Sequence, residues 1–104
     1  MVVQVLGKLT FEVTAKLRDT IRDTVVGDDA LKLMVIDLSG VSYIDSSGLG
    51  LLVAAKNSLA KGNGILRLTG LAPQVKRTFD QTNLTAYFEL YKDEITAVAA
   101  PPRA

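Results

Sequence analysis

Cysteine and histidine are both missing from this chain of 104 residues. Without cysteine there is no disulfide and no thiolate chemistry. Without histidine as well, Ser-His-Asp triads, Cys-His dyads and ordinary zinc sites are excluded. An excess of one charge is also lacking. Twelve Lys and Arg against eleven Asp and Glu leave a net charge of +1, which gives no electrostatic case for nucleic acid. No uninterrupted apolar run approaches ~20 residues, so no membrane insertion is expected. The N-terminus shows no basic segment leading into a long apolar core, so no signal peptide is expected. Neither G-x-x-x-x-G-K-[ST] nor G-x-G-x-x-G occurs, which leaves no nucleotide cradle and no cofactor to expect. These absences point to a soluble domain, expected in the cytoplasm.

What is present is a patterned globular chain. Apolar residues make up 48% of it, enough for one core. A single domain is expected over residues 1–100, with residues 101–104, Pro101-Pro102-Arg103-Ala104, as a disordered tail. Val2-Val3-Gln4-Val5-Leu6 reads as a strand ended by Gly7. Val13, Leu17, Ile21 and Val25 recur every four residues, with charged residues on the other faces. That spacing predicts an amphipathic helix over 14–26, capped by Thr10 or Thr14. A buried strand follows over 33–38, then a loop over 39–44. A second helix is predicted over 46–60 and stops at Lys61-Gly62-Asn63-Gly64. A third strand over 65–68, a helix from Pro73 to about Gln81, a strand over 87–91 and a short helix over 93–99 complete the pattern. Four βα units with right-handed crossovers imply an α/β fold: a four-stranded, mainly parallel sheet in sequential order, helices mostly on one face.

The most informative stretch is Ile44-Asp45-Ser46-Ser47-Gly48-Leu49-Gly50. It lies where a strand hands over to a helix. A helix N-terminus presents free N–H groups and favours negative charge, so a serine there can carry a phosphate that the backbone already tolerates. Asp45, Ser46 and Ser47 also suit a plain helix cap, worth about 1 kcal/mol. Gly48 and Gly50 argue for more than a cap, because each Gly inside a helix costs ~1 kcal/mol against Ala. They either pack under the preceding loop or admit the close approach of another molecule. Lys76-Arg77 reads as a solvated pair or as an anion patch. Asp37 reads as the acceptor of a loop hydrogen bond or as a metal ligand, with no second carboxylate at motif spacing except Asp45.

The run from Val35 through Gly50, with Gly62 through Leu68, Pro73 through Phe79 and Asn83 through Phe88, resembles the bacterial STAS domain family of anti-sigma factor antagonists. The resemblance implies partner switching. The unmodified protein binds an anti-sigma factor that is also a serine kinase of the histidine-kinase-like ATPase type. Phosphorylation of the serine after the Asp, here Ser46, releases it, and a PP2C-type phosphatase resets it. The partner-binding surface implied is Thr10, Ser42, Tyr43, Asp45, Ser46, Ser47, Gly48 and Gly50. One departure concerns Gly7-Lys8-Leu9-Thr10, where the family often has Gly-Glu-Leu-Asp, so Thr10 replaces an acidic residue. A phosphate would add about −1.5 to −2 charges beside Asp45.

The alternative is a structural subunit of the same family, in a stressosome-like scaffold or a lipid-transporter complex, using the same surface without a kinase. An enzyme is disfavoured by the absent His and Cys. Many relatives carry one more strand before the segment that begins this chain. The expectation is that the outer edge of the first strand either stays solvated or pairs weakly with a second copy into a homodimer.

Overall fold

A computed structural model describes residues 2–9, 11–27 and 33–100. The elements alternate: β1 (Val2–Leu9), α1 (Phe11–Gly27), β2 (Leu33–Ile44), α2 (Ser46–Lys61), β3 (Ile65–Thr69), α3 (Pro73–Gln81), β4 (Glu89–Tyr91) and α4 (Glu94–Ala99). The sheet order is β1-β2-β3-β4 and every pairing is parallel. The sequential order follows from short right-handed crossovers, as the βα pattern predicts.

The two faces of the sheet differ. Met34, Ile36 and Leu38 of β2 and Leu66 and Leu68 of β3 belong to one apolar cluster. Ile21 of α1, Leu52 and Leu59 of α2, and Val75 and Phe79 of α3 complete it from above. Leu17 of α1 and Val53 of α2 are only partly buried and pack against this cluster. Phe88 meets Phe79 edge-on, with centroids 5.6 Å apart. The opposite face carries buried Val35 together with polar residues. There Arg67 is 2% exposed. Its guanidinium donates to the carbonyls of Ala97 and Ala100 at 2.7 and 2.8 Å and to Glu89 Oε1 at 3.1 Å. Arg67 thus fastens the end of α4 to this face, so three helices lie on one side and α4 on the other.

Four boundaries depart from the sequence reading. β1 runs on through Gly7, which takes a φ of 86° between register shifts on either side. That bulge lets the strand continue where a glycine suggested a stop. β2 is correspondingly long: the segment 39–44, expected as a loop, pairs with the end of β1, Lys8 with Tyr43 and Leu9 with Ile44. α1 begins at Phe11, so Thr14 lies inside the helix, buried, and does not cap it. β4 is confined to Glu89–Tyr91 because Tyr87 is used otherwise. Its N–H donates to Leu84 O in a turn, its carbonyl accepts from Lys56 Nζ, and its hydroxyl donates to Asn57. Thr10 and residues 101–104 lie outside the described residues.

Candidate functional site

The extended β2 delivers the motif. Val41 and Ile44 are 1% and 2% exposed and anchor the strand end in the core. Ser42 and Tyr43 between them face solvent, and Tyr43 is 51% exposed. Pairing with β1 makes this a strand end and not a loose loop, so the aromatic ring is held on a rigid support.

Asp45 then ends the strand in an extended conformation, φ −109° and ψ −174°, and caps α2. Its carboxylate accepts from Gly48 N–H at 3.0 Å and its carbonyl from Leu49 N–H at 3.0 Å. The cap expected among Asp45, Ser46 and Ser47 is therefore Asp45. That leaves both serine hydroxyls outside the capping bond. Ser46 is the first residue of the helix and is exposed; Ser47 is half-buried. As first-turn residues, both have N–H groups beyond the reach of the helix's own ladder. No acidic side chain occupies the first turn, so Asp45 is the local negative charge at a helix end that favours anions.

The glycines separate cleanly. Gly48 is buried and supplies the capped N–H. Gly50 is exposed, and a Cβ built on it would find nothing within 4 Å. Packing under the preceding loop therefore does not explain Gly50. Ser42, Tyr43, Asp45, Ser46, Ser47, Gly48 and Gly50 form one continuous run from strand end to first helical turns.

The other two candidates lie elsewhere. Lys76 is on α3 and pairs with Asp80 at 3.1 Å, and Arg77 is exposed beside it. This is a solvated helix face with an i,i+4 pair. Asp37 accepts from Ser39 N–H at 2.9 Å, a hydrogen bond within β2 and not to a loop, and this bond holds its carboxyl below the usual aspartate value. Sequence reasoning missed Arg67, which fastens the end of α4. The only trace of Arg67 was a charge inside the apolar run Ile65-Leu66-Arg67-Leu68.

Residues 1–97 match the STAS domain. The chain belongs to the STAS domain family. An anti-sigma-B factor antagonist of Listeria monocytogenes is 44% identical over 55 residues, 53% of this chain and 48% of the relative. The chain thus spans about half the length of that relative. A Staphylococcus aureus anti-sigma-B factor antagonist is 30% identical over 82 residues, covering 79% of this chain and 74% of the relative. The crystal structure of an anti-sigma factor antagonist from Mycobacterium paratuberculosis superposes with a TM-score of 0.81 at 31% identity, over 93% of this chain and 80% of that one. This STAS domain has no helix among its described residues long and apolar enough to cross a membrane.

Proposed function

We propose that this STAS domain is an anti-sigma factor antagonist that works by partner switching. Unmodified, it binds an anti-sigma factor with serine-kinase activity. Phosphorylated on Ser46, it lets go, and a PP2C-type phosphatase restores it. It acts by binding in the cytoplasm and not by catalysis.

The observation that carries this reading is the division of labour in the motif. Asp45 takes the capping role, so Ser46 stands exposed with its hydroxyl free for modification. Free first-turn N–H groups of α2 are suited to hold the added phosphate within the molecule. A docked partner surface would meet bulk and negative charge that it cannot desolvate. Ser42, Tyr43, Ser47 and Gly50 frame the contact, with Gly50 open to a close approach. Thr10 stands where the family's acidic residue would contribute.

The test is a tagged pull-down read by mass spectrometry, comparing wild type with Ser46→Ala and Ser46→Asp. A histidine-kinase-like ATPase retained by wild type and Ser46→Ala and lost from Ser46→Asp supports the reading. Recovery of transporter or scaffold subunits alone, indifferent to residue 46, would instead identify a structural subunit.

A further inference from the structure

The connections at the carboxyl ends of β3 and β4 leave the sheet in opposite directions. β3 hands over to α3, which lies with α1 and α2, and β4 hands over to α4 on the other face. That divergence leaves a crevice between the two strand ends, and in open parallel sheets such a crevice is where ligands bind. Here it is a cleft of about 320 Å³. Gly70 and Leu71 after β3, Leu90 and Tyr91 of β4, Lys92 beyond it and Lys76 of α3 line it.

The backbone around the cleft is fixed. Gly70 turns the chain out of β3 with φ 68°, and a Cβ on it would sit 2.8 Å from Ser39 Cβ, so the turn requires glycine. Gly70 N–H donates to Tyr91 O at 3.3 Å and ties the two strand ends together. The Tyr91 hydroxyl donates to Glu89, and the Arg67 guanidinium lies 5.3 Å from its ring, which leaves the ring as a held apolar wall. Leu71 and Leu90 are half-buried and pack against the core. Both charges on the lining are positive, and no carboxylate lines the cleft. Asp80 holds Lys76 at 3.1 Å from outside the lining, in an exposed pair of the kind that contributes little. A lysine ammonium has three donors, so Lys76 keeps one beyond the two that the Asp80 oxygens take.

We propose that this cleft binds a small amphipathic anion, its carboxylate or phosphate head held by Lys76 and Lys92 and its aryl or short acyl body laid on Leu71, Leu90 and Tyr91. Charge complementarity selects the head, because the lining offers two cations and no anion. Ammonium groups are compact point charges and serve either head. The apolar wall selects the body. The volume stands at the lower end of small-molecule sites, which run from about 300 to 1,000 Å³, and so fits a small molecule and not a long lipid. No residue of the Ser46 motif lines the cleft, and the proposal goes beyond the partner-switching reading.

The test is a titration of the full isotope-labelled chain with sodium hexanoate, and separately with phenyl phosphate, followed by amide NMR. Hexanamide supplies a body without the charge, and sodium acetate a head without the body. The expected result is a saturable shift centred on the amides of Gly70, Leu71, Lys76, Tyr91 and Lys92, half-complete on the order of 10⁻³ M for at least one of the two probes. Hexanamide and acetate should bind about fivefold or more weakly than that probe. Lys76→Gln combined with Lys92→Gln, shown folded by the same spectra, should weaken the probe by about fivefold or more. Lys61→Gln, at the exposed end of α2, should leave it intact. Absence of a saturable shift with either probe, hexanamide or acetate binding as tightly as the probe, or undiminished binding by the double lysine variant overturns the proposal.

Discussion

Replacing Gly50 with Ala should make the free protein more stable and its partner complex weaker. Gly50 lies in the interior of α2, is exposed, and has empty space where a Cβ would go. An added methyl therefore meets no clash, and the helix gains the ordinary Gly-to-Ala difference of about 0.8–1.0 kcal/mol. For a domain of this size that corresponds to a rise of roughly 4–8 °C in midpoint temperature. Gly50→Val gains less, because a β-branched side chain loses rotamer freedom in a helix, but the protein should remain folded. A sequence that forgoes this much stability at an unobstructed position has a reason outside the chain, and the surface beside Ser46 supplies one. Thermal and urea unfolding of the free variants measure the first half. Affinity for the captured kinase, read by calorimetry, measures the second, with Gly50→Val losing more than Gly50→Ala. A destabilised Gly50→Ala would refute the open-space geometry. Unchanged affinity in a folded Gly50→Val would refute the argument that a partner approaches here.

Three further outcomes follow from the same structure. Arg67→Ala leaves Glu89 half-buried without its ion pair and the Ala97 and Ala100 carbonyls without that donor, and should cost about 3 kcal/mol in urea unfolding with faster amide exchange in α4; a loss under about 1 kcal/mol would mean that α4 is held otherwise. The two carboxyls at the α4 seam respond oppositely to pH. The depressed Asp37 carboxyl contributes stability that is present above its ordinary 3.8 and lost as pH falls through its lower folded value. The raised Glu94 carboxyl contributes stability present below its ordinary 4.5 and lost as pH rises through its higher folded value. Urea midpoints of Glu94→Gln should therefore gain on wild type as pH rises from about 4.5 towards neutrality; a constant gap contradicts that assignment. If two copies pair along β1, which pairs with β2 and with no other described strand, sedimentation should show a concentration-dependent dimer that Val3→Pro abolishes, and a strict monomer would remove the idea.

Much of the fold was legible because apolar spacing and turn residues agreed. The four βα units, Pro73 opening α3 and the stop after Lys61 all stand where the pattern put them. At that stop it is Asn63, not a glycine, that takes the left-handed conformation, with φ 62°. The strand extension over 39–44 was hidden because its partner is the bulged end of β1, and bulges break the alternation that marks a strand. The motif itself was legible as a run of residues, but not its internal roles. Only the capping geometry of Asp45 separates a serine that is exposed from one that is half-buried. The contact of Glu94 with Asp37 could not be read, since no spacing rule links the start of α4 to the middle of β2.

The most direct test of the central claim is intact-mass analysis after incubation with the captured kinase and Mg-ATP. Wild type and Ser47→Ala should each gain a single phosphate, and Ser46→Ala should gain none. Labelling of Ser46→Ala at the wild-type level would contradict the account.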